Sequence, residues 1–319
     1  MIEKRTAGLQ LRYRPKRKPN RLIRFLNREA VCGYVFASPF IIGFLAFTIV
    51  PMLYSLYISF TSYRITSSPT WIGLDNYVRM FTQDPRYINS IKVTLKYVAV
   101  SVPLKVGFAL FIAFLLTRRA RGMPVYRSIY YLPSLIGGSV AVSLVWKELF
   151  AVNGVINKIL SVFGVDPIQW LGDPTYAIWV LILLSAWQFG SSMLIFAAGL
   201  KQIPAVYYEA AQIDGASGWQ QFLYITIPSL SPVIFFNVVM QTISAFLNFT
   251  QAFIITQGRP MDSTLVYSLY LYYSAFNYYE MGYASAMAWV LLIMVAVVTA
   301  FIFKSSSYWV FYESKGGGT

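Results

Sequence analysis

Apolar stretches of 18 or more residues recur along this chain, and no other feature constrains its fold as tightly. Each is long enough for a helix to cross about 30 Å of hydrocarbon. A membrane β-barrel would instead show alternating segments of about ten residues, and these are absent. Charged residues make up 12% of the 319, roughly half of what a soluble domain carries. The expectation is an all-α integral membrane protein.

Six spans are predicted: about Tyr34–Phe60, Lys92–Leu116, Ile129–Phe150, Tyr176–Leu200, Pro232–Thr256 and Met281–Phe303. Pro39 and Pro51 are expected to kink the first. The second is interrupted by Lys92, Lys96 and Lys105, so its polar side is expected to face protein or the interface. The run after Glu29 is too long for a cleaved leader and is expected to stay in the membrane. Charge orients the spans. Ten Lys/Arg lie in the first 28 residues, and Arg118, Arg119, Arg121 and Arg127 lie between spans two and three. The alternate loops carry only Arg64, Arg79, Arg86, Lys147, Lys158 and Arg259. The excess of basic residues puts both termini, and the segment between spans four and five, in the cytoplasm. The net charge of +14 is therefore read as a topology anchor touching anionic lipid rather than as a nucleic-acid site.

Several functions are excluded by what is missing. The chain has no His, removing the commonest general base and metal ligand. Its one cysteine, Cys32, allows no internal disulfide. No clustered carboxylates or catalytic motif supports an enzyme. An ion-coupled carrier would want intramembrane acids or inverted repeats, and neither is found. No phosphate-cradling G-x-x-x-x-G-K-[ST] loop is present, so energy for active transport must come from another chain.

The segment between spans four and five reads "EAAQIDGASGWQQFLYITIPSLSP". Glu209-Ala210-Ala211 favour a helix that Gly215 breaks, and Trp219–Ile227 favour a second. Pro228 and Pro232 are expected to stop that second helix and set the start of span five. By composition it is either a loop packed on its own helices or a knob for a cytoplasmic partner.

This segment resembles the EAA loop of permease subunits in binding-protein-dependent ABC importers. The match comprises Glu209, Ala210, Ala211, Asp214, Gly215 and Ala216, then Phe222, Ile225, Pro228 and Pro232 in register. "SPFIIGFLAFTIVPMLYSLYISFTSY", "WIGLDNY" and "WLGDPTYA" are similar to the carbohydrate-uptake group that contains the maltose and glycerol-phosphate permeases. The resemblance covers roughly residues 30–305. It implies a type I importer fold in six spans, lacking the extra spans and large insertion of the maltose subunit. The implied layout is a basic cytoplasmic tail (1–29), a permease domain (30–305, EAA loop 201–228) and a cytoplasmic C-terminal tail (306–319). Implied partners are a second homologous permease, an ATP-binding subunit dimer that holds ATP and Mg, and an extracytoplasmic solute-binding protein. No cofactor is expected in this chain itself. The implied location is the bacterial cytoplasmic membrane.

Polar side chains in the spans mark the candidate solute path. Ser244, Asn248 and Gln251 lie at i, i+4 and i+7, one face of a continuous helix, extended by Asn237 and Gln241. Ser185, Gln188 and Ser192 have similar spacing in span four, beside Trp187 and Phe189. Amides, hydroxyls and rings suit a neutral sugar. Interhelical hydrogen bonding would use the same residue types. The resemblance favours sugar contact, since Ser185, Ser192, Ser244, Asn248 and Gln251 match sugar-contacting positions of the maltose subunit. Gln188 replaces an apolar residue there, leaving the solute open, with a charged glycan or a glycerol-phosphate-type solute as alternatives. The tyrosine-rich stretch Tyr267–Tyr283 is read as an interfacial belt or, alternatively, a surface for sugar or the solute-binding protein.

Overall fold

The computed structural model describes residues 29–117 and 123–311. The basic tail before residue 29, Arg118, Arg119 and Arg121, and the end of the chain from 312 lie outside the described residues. The chain divides into two units, 1–55 and 56–319. Its first helical elements are α1 (Glu29–Phe44), a π-turn (Leu45–Ile49) and α2 (Val50–Ser59). The apolar helix Gly33–Ser59 buries none of its most apolar stretch against protein.

The second unit continues with a two-stranded antiparallel ribbon, β1 (Thr61–Ser62) and β2 (Thr70–Trp71), then α3 (Asp75–Thr82) and the 33-residue α4 (Pro85–Thr117). Next come α5 (Met123–Ile136), α6 (Val140–Leu149), α7 (Val155–Val162), α8 (Pro174–Trp187) and α9 (Gly190–Leu200). Two short helices, α10 (Ala205–Ile213) and α11 (Gly218–Gln221), lead through a π-turn (Phe222–Thr226) into α12 (Ile227–Phe246). The chain closes with α13 (Tyr267–Tyr272) and α14 (Met281–Trp309). Among the described residues four helices are long and apolar enough to cross a membrane: Gly33–Ser59, Pro85–Thr117, Gly218–Phe246 and Met281–Trp309. Six result if two bent pairs each count as one span, Val125–Ile136 with Val140–Leu149 and Pro174–Trp187 with Gly190–Leu200.

Helix α4 is the hub, packing against α8, α9, α12 and α13. Its buried stripe, Tyr87, Ser90, Thr94, Tyr97 and Ser101, follows the 3.6-residue period. One end of the bundle is tied by acids. Asp84 caps α4 through the Tyr87 N–H (3.0 Å) and accepts hydrogen bonds from the hydroxyls of Tyr270 and Tyr283, both 2.6 Å. Burial raises the affinity of the Asp84 carboxyl for its proton, but these three donors outweigh it and hold the group below its ordinary value. Arg86 makes a two-pronged contact with Asp262 at 2.7 and 2.8 Å. Tyr267 is fully buried, its hydroxyl donating to the Met287 carbonyl (2.8 Å). Tyr267, Tyr270 and Tyr283 thus point into protein, which corrects the interfacial-belt expectation for these three.

Three further expectations are corrected. Pro228 and Pro232 do not stop a helix, because Gly218–Phe246 runs through both. A proline ring clashes with the carbonyl four residues earlier, and a π-turn widens the backbone at that place. The Ile227 N–H bonds to the Phe222 carbonyl, one residue before Pro228. The same arrangement precedes Pro51, where the Val50 N–H bonds to Leu45. Span three is not one straight helix: it bends by 100° at Gly137-Gly138. Ser139 restarts it as N-cap, its hydroxyl accepting from the Val142 N–H (3.3 Å), while Gly137 leaves room that Gln188 fills. Spans four and five are each broken, as described below.

The motifs behind the resemblance are partly structural. Asn76 of "WIGLDNY" is buried and donates to the carbonyls of Ser59 and Thr61 (2.9 and 3.0 Å). In "WLGDPTYA", Asp173 caps α8 through the Thr175 N–H (2.7 Å), and Pro174 occupies the first turn, where no N–H is needed.

Helix α9 meets α5 at Gly190, where an added Cβ would lie 2.6 Å from the Tyr130 carbonyl and 2.8 Å from the Tyr131 Cα. Gly107, mid-helix in α4, has nothing within 4 Å. Gly190→Val is expected to destabilise the solubilised protein by about 1–3 kcal/mol. Gly107→Ala is expected to leave it unchanged or raise it by up to about 1 kcal/mol. Thermal unfolding midpoints in detergent check both.

Candidate functional site

Two of the predicted spans break at polar residues, and both breaks open on one cavity. Span four turns by 42° between α8 and α9, at Gln188 and Phe189. Span five leaves helical geometry at Leu247–Phe249 and resumes at Thr250. Backbone freed from its helix at membrane depth is tolerated only inside protein or along a wet cavity. Here the first break is held by α5: the Ser134 hydroxyl donates to the Gln188 carbonyl (3.0 Å), and the Gln188 side-chain amide donates to the Gly137 carbonyl (2.8 Å). At the second, the Ser268 hydroxyl donates to the Asn248 carbonyl at 2.5 Å.

The cavity between the breaks has a volume of about 250 Å³ and is partly open. Its polar lining is Tyr97, Ser101 and Lys105 from α4, Ser185 and Gln188 from span four, and Gln241, Ser244, Asn248, Thr250 and Gln251 from span five. Phe249 and Leu181 supply apolar wall. The volume lies just below the roughly 300–1,000 Å³ of drug-sized pockets, a scale suited to one sugar ring with the rest of a chain projecting.

Asn248 is the most informative of these side chains. Only 9% of it is exposed, and although its amide lies beside the buried Tyr97 hydroxyl, neither its nitrogen nor its oxygen completes a well-formed hydrogen bond among the described residues. Leaving buried polar atoms unpaired costs about 1–3 kcal/mol. An amide retained at that cost and directed into a cavity is placed for something that enters. The neighbouring Ser101 hydroxyl, also beside that of Tyr97, is likewise buried and completes no well-formed hydrogen bond among the described residues.

The structure thus gathers Ser185, Gln188, Ser244, Asn248 and Gln251 around one space, as well as Gln241. It does so by a different route from the expected helical face, because Asn248 lies in the break after α12. Ser192 and Trp187 lie elsewhere. Ser192 is fully buried and accepts from the Gln241 amide (3.0 Å), joining α9 to α12. Trp187 packs on Trp146, ring centroids 5.5 Å apart. Sequence reading missed Tyr97, Ser101 and Lys105. Their i, i+4, i+8 spacing on α4 was the available signal.

The segment containing Glu209 forms a separate feature. Glu209, Ala210 and Ala211 lie in α10, which buries no residue. Gly215 ends it with φ +77°, and Ala216 returns a hydrogen bond from its N–H to the Ala211 carbonyl (2.9 Å). Ser217 and Gln220 form a reciprocal capping box that starts α11. The Tyr208 hydroxyl of α10 meets that of Thr226, in the π-turn after α11, at 2.9 Å, and the Phe222 ring packs on Phe114 of α4 at 5.0 Å. The result is a braced knob with apolar surface outward: Ile213 is 87% exposed, Tyr224 77% and Trp219 67%.

A family model described as "Binding-protein-dependent transport system inner membrane component" matches residues 90–306, well over half of the chain. The chain belongs to this family. It is 58% identical over 295 residues to a probable ABC transporter permease protein, YesP, of Bacillus subtilis, covering 92% of this chain and 96% of that one. It is 33% identical to the lactose transport system permease protein LacF of Rhizobium radiobacter, covering 84% of this chain and 92% of that protein. Among solved structures, a bacterial ABC transporter involved in import of the acidic polysaccharide alginate has a chain that superposes with TM-score 0.76 at 26% identity. That match covers 90% of this chain and 99% of the other. The protein is accordingly a multi-pass inner-membrane permease of the ABC type.

Replacing a buried unpaired amide by an apolar group of similar size is neutral or stabilising, whereas breaking a made hydrogen bond is not. Asn248→Leu is therefore expected to keep or raise the thermal midpoint of the assembled complex while reducing solute transport at least tenfold. Ser192→Ala, which removes the bond to Gln241, is expected to cost about 1 kcal/mol of stability. Melting curves paired with uptake assays separate the two.

Proposed function

We propose that this chain is the membrane path of an ATP-driven importer of a sugar or oligosaccharide. An extracytoplasmic solute-binding protein delivers the solute. A second, homologous permease completes the pathway, and a dimer of ATP-binding subunits on the cytoplasmic side holds ATP and Mg and does the hydrolysis. The chain crosses the bacterial cytoplasmic membrane six times, each bent pair counting as one span, with both termini inside. The basic residues of the tail and of the loop after α4 support that orientation.

The observation that carries the carbohydrate reading is the cavity at the two helix breaks. It presents hydroxyls and amides, which both donate and accept, beside the Phe249 ring. A sugar hydroxyl needs both functions, and a ring covers the apolar face of a pyranose. Relatives named as lactose and trehalose/maltose permeases support the same class.

Residues 201–228 form the EAA loop in this reading, docking into a cleft of the ATP-binding subunit. The exposed Ile213, Trp219 and Tyr224 give it apolar surface to bury there, and Glu209 and Asp214 lie exposed beside them. Closure of the nucleotide-bound dimer would move the knob as a rigid body. Gly215 keeps a positive φ that β-branched residues reach only with strain, yet no atom lies within 4 Å of where its Cβ would be. Gly215→Val is therefore expected to distort the loop without creating a clash inside the chain. Uptake and solute-stimulated ATPase should fall more than tenfold, with Gly215→Ala intermediate. Wild-type coupling in Gly215→Val would contradict the docking role.

A further inference from the structure

Among the described residues that line the cavity one is charged, and it is a cation. Lys105 lines the space together with Ser101 and Tyr97, one and two turns earlier on α4, and among the described residues no acidic one lines it. Among the described residues no Asp or Glu oxygen lies within 4 Å of the Lys105 ammonium. The other lysines of this helix, Lys92 and Lys96, are exposed, whereas Lys105 is half-buried. Lys105 sits twelve residues before the end of α4, about 18 Å at 1.5 Å per residue, too far for its side chain to reach past the helix end. A charge in a low-dielectric interior is costly without a counter-charge, and intramembrane lysines ordinarily pair or mark a substrate path. A neutral sugar would be served by the surrounding amides and hydroxyls alone.

We propose that the solute carries a carboxylate, as a uronic-acid-containing oligosaccharide does, and that the Lys105 ammonium pairs with it in the cavity while Ser185, Ser244, Asn248 and Gln251 take its hydroxyls. This rests on the sugar-importer reading above and narrows its substrate class. It favours the charged-glycan alternative over the neutral sugar to which spans four and five, with no central charge, pointed. The lysine enters from span two. A single positive charge matches one carboxylate. A phosphate monoester, with nearly two negative charges, would leave most of one unmatched.

The test uses the full complex in liposomes with its solute-binding protein. The probes are matched panels of neutral oligosaccharides, uronate oligosaccharides, the same uronates after carboxyl reduction to the alcohol, and sugar phosphates. Uptake and stimulated ATPase are expected for a uronate oligosaccharide, falling tenfold or more when its carboxyls are reduced. Lys105→Gln should erase that preference, raising KM for the uronate at least tenfold, and Lys105→Arg should restore most of it. Preference for a neutral, reduced or phosphorylated sugar would overturn the proposal and leave the importer reading intact. So would a Lys105→Gln variant with unchanged selectivity, or one that no longer co-purifies with the second permease, which would assign the lysine to a subunit contact. Failure of every saccharide in the panels to stimulate the complex would sink the importer reading itself.

Discussion

Hydrocarbon offers no hydrogen bonds, so a chain crossing it can leave its helix only where protein or water takes over the freed groups. The arrangement of this permease follows from where it spends that freedom. Three spans break, and two of the breaks, at Gln188 and at Leu247–Phe249, line one cavity together with α4. The freed carbonyls of Gln188 and Asn248 are taken by Ser134 and Ser268. With the backbone satisfied from behind, the side chains of the breaks are free to face the cavity, and Asn248 does so with its amide unpaired.

The same constraint links the cavity to the knob. Helical structure continues from Gly218 to Phe246, about 40 Å, with Pro228 accommodated by the π-turn at Phe222–Thr226. One end of that rod is α11 of the knob. The other end is the residue before the break that holds Asn248. In the proposed importer, a displacement of the knob by the ATP-binding subunits is delivered along this rod to the floor of the solute cavity. Its contacts with α4, through Phe222 and Phe114 and along α12, make α4 the fulcrum.

Hydropathy made the membrane class and the rough places of the apolar helices legible, because a helix that crosses hydrocarbon must be apolar over its length. It could not show the breaks, since Leu247 and Phe249 are as apolar as a helix needs and Gly137-Gly138 costs no hydrophobicity. The polar residues of spans four and five were legible as a group because serine and amides are rare in lipid. Which of them face the cavity was not: Ser192 and Gln251 look alike in sequence, yet one is committed to Gln241 and the other lines the space. Lys105 was obscured because three lysines together read as a weak span, and only packing separates it from Lys92 and Lys96. Pro228 and Pro232 read as stops because a π-turn leaves no mark in composition. The tyrosines around Asp84 read as interfacial because their partner lies nearly 200 residues away in sequence.

The proposed solute path is the space between the breaks at Gln188 and Leu247–Phe249. Single cysteines at Ser185, Ser244 and Gln251, and at the exposed Leu183 and Phe236 as controls, in a Cys32→Ser background, can be titrated with a small charged thiol reagent in the reconstituted complex. Fast labelling is expected at the three cavity positions, slowed by the transported saccharide during ATP turnover, with slow labelling insensitive to saccharide at the controls. Equal labelling at both sets, or cavity labelling that no transported solute slows, would contradict it.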